Sequence, residues 1–198
     1  THVDCAVSGG SDSVALLVLA CAANLNVSAW HVDHGLRDNS HSEADLVAQL
    51  ATQLGAQFES RTVSVEQGAN TEARAREARY NVLPQGVMTG HTADDQAETI
   101  LINLLRGSGT RGLAGMQPTA QRPLLQIRRS ETEALCAELG IAVFNDPSND
   151  DERFQRNRIR HEVLPLMESL AKRDLVPVLT RQAGLLRDDD DLLNELAD

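Results

Sequence analysis

A short apolar run, Val3 to Val7, breaks into Ser8-Gly9-Gly10-Ser11-Asp12-Ser13 and passes at once into the helix-length apolar stretch Ser13 to Ala23. Five residues, four of them apolar, are too few for a stable helix and suit a strand, so the segment reads as strand, glycine turn, helix. The same alternation recurs. Val27 to Val32 runs into His34-Gly35, and Ser40 with Glu43 forms a capping box for a helix reaching about Leu54. Gln57 to Val65 is a third strand, Thr71 opens a helix through Tyr80, and Val87 to Thr89 is a short fourth strand. Thr92 and Asp95 cap a helix whose Ile100, Leu101, Leu104 and Leu105 have helical spacing, ended by Arg106-Gly107-Ser108-Gly109. Ser130 and Glu133 box another helix, Gly140 ends it, and Ile141 to Phe144 gives a further strand. Strands that alternate with helices predict an α/β fold with a doubly wound, mainly parallel sheet and right-handed crossovers.

From Glu152 onward the pattern is helical only, with Pro165 and Pro177 as breaks and Pro177 as the first residue of the last helix. The expected division is therefore a domain over residues 1–165 and a helical extension over 166–198. The extension, acidic and without a clear stop, is expected to lead into a further domain.

Composition narrows the function classes. No apolar run approaches the ~20 residues that span a bilayer, and no basic region precedes the first apolar stretch, so no membrane partner and a cytoplasmic location are expected. Cys5, Cys21 and Cys136 are odd in number and far apart, which predicts small buried residues and argues against a disulfide framework or a CxxC pair. The net charge is −11, against nonspecific nucleic-acid binding as a whole-chain property. Its distribution is uneven: six acids fall within residues 188–198, while Arg153, Arg156, Arg158 and Arg160 lie in a stretch without acids. Lys172 is the sole lysine, so a Walker A loop, which needs GK[ST], is excluded.

Ser8 to Ser13 places backbone amides and hydroxyls at a helix N-terminus, an anion cradle suited to a phosphate or pyrophosphate. The plainer alternative is a Gly-Ser turn with an aspartate cap. Asp12 favours the cradle with a metal: a carboxylate beside phosphates is repulsive unless a divalent cation stands between them, which predicts Mg²⁺ at Asp12.

SGGSDS resembles the PP-loop of the ATP pyrophosphatases, the group with an adenine nucleotide alpha-hydrolase-like fold. Within it the chain is similar to the tRNA(Ile)-lysidine synthetases. Four more blocks carry the likeness: HVDHGLR at 31–37, RxxRY at 76–80, GHTADDQAETILINLLRGSGTRGLAGM at 90–116 and RNRIRHEVLP at 156–165. The resemblance implies ATP as substrate, with Ser8, Gly9, Gly10, Ser11, Asp12, Ser13, His34, Gly90 and His91 in its site. It also implies L-lysine and a tRNA(Ile) with a CAU anticodon as partners, with a homodimer left open. The implied reaction joins lysine to carbon 2 of the wobble cytidine through an adenylated tRNA, releasing pyrophosphate and AMP.

The residues themselves leave alternatives beside each implied role. His34 and Gly90-His91 follow strands at the sheet edge where open parallel sheets bind ligands, though a loop histidine can also simply face water. Thr92, Asp95 and Glu98 share one helix face; they can cap the helix, hold Mg²⁺ or meet a substrate amine, and the resemblance implies that Asp95 and Glu98 bind lysine. Asp94 reads as outward-facing or near the metal. Arg106 and Arg111, set in flexible backbone, suit phosphate or developing negative charge, or are surface arginines at a helix end; the resemblance implies that His91 and Arg111 act catalytically near the α-phosphate, with Asp12 and Asp95. Arg156, Arg158 and Arg160 are either a solvated face paired to Asp150, Asp151 and Glu152 or, as the resemblance implies, contacts to the tRNA. Rival readings are a tRNA thiolase of the same superfamily, which would need closely paired cysteines, and a non-catalytic nucleotide-binding regulator.

Overall fold

A computed structural model describes residues 1–33, 40–63, 71–144, 151 and 153–197. The chain divides into two compact units, the first made of Thr1–Gly90, Ala120–Leu124 and Arg129–Asn145 and the second of His91–Thr119, Leu125–Arg128 and Asp146–Asp198.

In the first unit, β1 (His2–Ala6), β2 (Asn26–Asp33) and β3 (Gln57–Thr62) form a parallel sheet in the order β1-β2-β3, with Cys5 opposite Ala29 and Ala29 opposite Phe58. The strands are joined by α1 (Ser11–Ala22) and α2 (Ser40–Gln53), and α3 (Thr71–Val82) follows β3. α1 packs on β1, β2 and α6 (Arg129–Glu138), while α2 packs on β2 and β3. That explains the composition of α1. A helix covered on several sides has no polar face to keep, and Val14, Ala15, Leu16, Leu17, Val18 and Ala20 are all buried. The Ser40 side chain lies outside the described residues, and with it the expected capping box.

The expected fourth strand is reduced to one parallel bridge, Met88 against Cys5. The Ala6 amide donates to the Met88 carbonyl at 2.9 Å, and the Met88 amide donates to the Asp4 carbonyl at 2.8 Å. β1 therefore has β2 on one side and Met88 on the other. The chain steps from β1 outward to β2 and β3, then returns to the far side of β1. Such a reversal is the switch point where open α/β sheets bind ligands, beyond the carboxyl ends of the strands. The segment 141–144 forms no strand; the Phe144 amide instead makes one bond, 2.8 Å, to the Gly9 carbonyl. α6 begins at Arg129, so Ser130 lies inside its first turn and not at its cap.

The second unit is built on α4 (Ala93–Leu105). Its Ala93, Ala97 and Leu101 share a core with Ile159, Leu164, Leu175 and Val176. Residues beyond 165 thus belong to the same core as α4. Pro165 does not break the chain into two helices: α7 (Gln155–Arg158), a π-turn (Ile159–Val163) and α8 (Leu164–Ala171) are continuous. Proline lacks an amide hydrogen and crowds the carbonyl four residues back, and the widened π-turn just before it accommodates both demands. Lys172, in the left-handed conformation at φ 52°, ends the run. α9 (Val176–Ala197) starts one residue before Pro177. Among the described residues, no helix is long and apolar enough to cross a membrane.

Burial, reinforced by the nearby Cys21 and Asp4, pushes the Cys5 thiol from 9.0 up to about 12, and burial also raises Cys21 and Cys136. Iodoacetamide at pH 8.5 should therefore spare Cys5 in the native protein and modify it in urea. Because the folded state holds this proton more tightly than the unfolded one, the associated stability is intact below pH 9 and is lost as pH rises towards 12. A melting temperature that does not fall between pH 9 and 11 would contradict this.

Candidate active site

In the first unit, the turn between β1 and α1 is shaped by Ser13. Its Oγ accepts from the Ser8 amide at 3.1 Å, lies 3.2 Å from the Ser8 hydroxyl and donates to the Gly10 carbonyl at 2.9 Å. Gly10 caps α1, and among the described residues no side chain bonds to that cap. The N-terminal amides of a twelve-residue helix then point to an anion position, favoured by the helix dipole. Gly90 closes in on this turn. A Cβ at residue 90 would lie 2.6 Å from the Asp12 carbonyl oxygen and 2.9 Å from the Ser13 nitrogen, so only glycine fits. The structure thus brings Ser8, Gly9, Gly10, Ser11, Asp12, Ser13 and Gly90 together. His34 lies outside the described residues.

The Asp12 carboxylate meets α6, accepting from Arg129 Nε at 3.2 Å and from the Thr132 hydroxyl at 2.5 Å. Arg129 and Thr132 were not legible in the sequence as site residues, because they lie 117 and 120 positions from their partner. A Mg²⁺ on nucleotide phosphates takes one or two carboxylates and completes its shell with phosphate oxygens and water. Asp12, in the first turn of α1 beside the anion position, fits that donor set.

In the second unit, α4 begins with the expected capping box. The Thr92 amide and hydroxyl donate to Asp95 Oδ2 at 2.8 and 3.0 Å, and the Asp95 amide donates to Thr92 Oγ1 at 3.5 Å. His91 is the residue before that cap. One turn further on, Glu98 is 1% exposed and held by two guanidinium groups. Arg156 Nε donates to its Oε2 at 2.7 Å; Arg160 donates to Oε1 through Nε at 2.7 Å and to Oε2 through Nη2 at 3.2 Å. Arg156 Nη2 also donates to the Asp95 carbonyl at 3.2 Å and to the Thr99 hydroxyl at 3.3 Å. Asp95 Oδ1 lies 3.6 Å from Arg156 and 3.9 Å from Arg160. The structure therefore assembles Asp95, Glu98, Arg156 and Arg160 into one cluster of two carboxylates and two guanidiniums.

The other charges nearby are arranged differently. Arg158 turns to Glu162 at 2.9 Å, and that pairing lowers the Glu162 carboxyl below its ordinary range. Arg153 pairs with Asp151, which it lowers in the same way. Asp150 and Glu152 lie outside the described residues. Asp94 receives Arg128 Nε and Nη2, both at 3.1 Å, while Arg128 Nη1 also reaches Asp174. The bond from Asp94 raises the Arg128 pKa above its ordinary value. Arg111 stands exposed on the single turn α5 (Thr110–Leu113).

A family model described as the PP-loop domain matches residues 1–167. A tRNA(Ile)-lysidine synthase from Rhodococcus erythropolis is 45% identical over 202 residues, which is 98% of this chain and 62% of that protein. One from Mycolicibacterium paratuberculosis is 47% identical over 204 residues, again 98% of this chain and 62% of that protein. The chain thus spans about three fifths of these curated relatives. Among solved structures, the U34-tRNA thiolase NcsA from Methanococcus maripaludis with its [4Fe-4S] cluster is similar in fold, with a TM-score of 0.74 at 17% identity over 94% of this chain and 72% of that one.

Three stability outcomes follow from this geometry. Gly90→Ala should lower stability by about 1–3 kcal/mol, the usual cost of forcing atoms into a closed contact. Glu98→Gln should cost about 3 kcal/mol or more, because it removes the buried carboxylate that both guanidiniums bond at 2.7 Å and leaves them the more distant carboxylate of Asp95, at 3.6 and 3.9 Å. Arg158→Gln, at an exposed pair, should leave the melting temperature unchanged. Denaturant titration of the three variants checks the order; an unaffected Glu98→Gln would contradict the anchoring role of that carboxylate.

Proposed function

Because the chain belongs to the PP-loop domain family, we propose that it takes part in ATP-dependent ligation of lysine to carbon 2 of the wobble cytidine of tRNA(Ile) with a CAU anticodon. The observation that carries this reading is the match, over nearly the whole chain at 45% identity, to relatives named for that reaction. In the first step the 2-carbonyl oxygen of the cytosine attacks the α-phosphate of ATP, the new P–O bond forms and pyrophosphate leaves. In the second the ε-amine of lysine attacks carbon 2, the C–O bond breaks, AMP departs with that oxygen and the amine gives up a proton. Dividing the substitution in this way replaces a poor leaving group by a good one.

The cradle of Ser8 to Ser13 would receive the pyrophosphate portion of ATP. Mg²⁺, when bound, would be held by Asp12 and would supply charge neutralisation at the phosphates. His91 and Arg111 are assigned to negative charge developing near the α-phosphate. His34 is retained as an ATP-site residue on the sequence resemblance. Asp95 and Glu98 are assigned to the lysine ammonium, and Arg156, Arg158 and Arg160 to RNA phosphates. The charge balance of the cluster bears on both assignments. An ammonium added to two carboxylates already matched by two guanidiniums leaves one charge in excess, and a phosphate drawn to Arg156 or Arg160 restores the balance. Lysine and RNA are therefore expected to favour each other's binding. The protein is placed in the cytoplasm, where tRNA, lysine and ATP meet, and a homodimer stands as a further proposal.

A sulfur-transferring reaction is less well supported, since such chemistry uses thiolates and burial holds Cys5, Cys21 and Cys136 towards the neutral thiol. A plain nucleotide-binding regulator would have no use for an acid and arginine cluster.

The test is incubation of the protein with ATP, radiolabelled lysine and a tRNA(Ile) transcript bearing CAU. Label should join the RNA, and a transcript with uridine at the wobble position should take none. Asp12→Asn should lower pyrophosphate release by about 100-fold or more, on the scale of losing one preorganised electrostatic group. Pyrophosphate release at the unaltered rate would remove Asp12 from the ATP site.

A further inference from the structure

Besides Asp95 and Glu98, α4 carries two polar side chains that turn to the segment bearing Arg111. Gln96, buried at 3%, donates from Nε2 to the Met116 carbonyl at 3.0 Å and accepts from the Met116 amide at 2.7 Å through Oε1. Seven residues on, Asn103 Nδ2 donates to the Gly112 carbonyl at 2.7 Å. From α9, Arg187 Nη2 donates to the carbonyls of Ala114 and Met116 at 2.9 and 3.1 Å. The fit around Gln96 is close. Gly115 has φ +66°, and a Cβ there would lie 2.8 Å from Gln96 Oε1.

α5 buries none of its own residues fully, and where it packs on α4 and α9 polar bonds to its backbone join that packing. These bonds grip carbonyls and an amide whatever side chains the segment carries. Arg187 accepts a cost to make them: its Nε, fully buried, has no acceptor among the described residues. A buried unpaired donor is retained in a native structure when the remaining bonds of the same group outweigh it.

We propose that Gln96, Asn103 and Arg187 are positioning residues that fix the backbone on the C-terminal side of Arg111 and so aim its guanidinium at the charge formed in the adenylation step. The proposal rests on the reading of Arg111 given above. Misplacing a charge-stabilising group by about 1 Å can cost up to about 100-fold in rate, so the bonds are large enough in effect to be seen.

The experiment is a double-mutant cycle on pyrophosphate release by the whole protein, with Gln96→Ala, Arg111→Ala and the pair, each checked for a cooperative thermal transition. Arg111→Ala alone should lower kcat by about 100-fold. Gln96→Ala should lower kcat by roughly 10- to 100-fold with the KM for ATP and for lysine within about twofold, and in the Arg111→Ala background it should add nothing further. Arg187→Met should behave like Gln96→Ala, and Arg187→Lys, which keeps one donor, should recover part of the rate. If Gln96→Ala lowers kcat equally in both backgrounds, its effect does not pass through Arg111 and the proposal is overturned while the reading of Arg111 stands. If Arg111→Ala turns over at the unaltered rate, both fall. Should Gln96→Ala not fold, the Arg187→Met and Arg187→Lys pair in the two Arg111 backgrounds decides the same question.

Discussion

The second unit depends on one buried carboxylate. Glu98 sits at 1% exposure on α4, and Arg156 and Arg160 both turn inward to meet it. A carboxylate removed from water is costly unless charged donors surround it, and here three short N–H bonds do so. That demand ties α7 and the π-turn to α4. The apolar contacts among Ala97, Leu101, Ile159 and Val176 follow the same pairing of elements. The helix so fixed then serves in three directions: its capping box orients Asp95, its next turn holds the two arginines, and its Gln96 and Asn103 grip the segment of Arg111.

In the first unit the corresponding constraint is steric. Met88 bridges β1 on the side away from β2, which brings Gly90 against the first turn of α1 with no room for a side chain. A reversal of strand order and a glycine at the reversal are what make an anion position at the end of α1. The acid in that turn, Asp12, is braced by Arg129 and Thr132 of α6.

Local signals were the legible ones. The strand, turn and helix from Val3 to Ala23, the Thr92 to Asp95 cap and the glycine stop after Leu105 all lie within a few residues of their cause, and each is where periodicity and capping rules put it. Elements whose pairing is distant and short differ from the expectation: 141–144 has strand composition but, among the described residues, one ladder-like bond, to Gly9, and 87–89 pairs with β1 only through the two bonds of Met88. Pro165 looked like a helix break because the π-turn that absorbs it has no signature in composition. Of the site, spacing grouped Asp95 with Glu98 and Arg156 with Arg160. That the two pairs face each other, about 60 residues apart, could not be read from either. Gln96 and Arg187 gave no signal, since a residue that binds backbone carbonyls leaves no pattern in the partner's side chains.

In the proposed reaction the cytosine is adenylated on its 2-carbonyl oxygen before lysine attacks. A tRNA(Ile) transcript carrying ¹⁸O at carbon 2 of the wobble cytidine tests it directly, with AMP analysed by mass spectrometry after turnover with ATP and lysine. The account predicts one ¹⁸O atom in each AMP formed. AMP without ¹⁸O, formed in step with lysine incorporation, would contradict it.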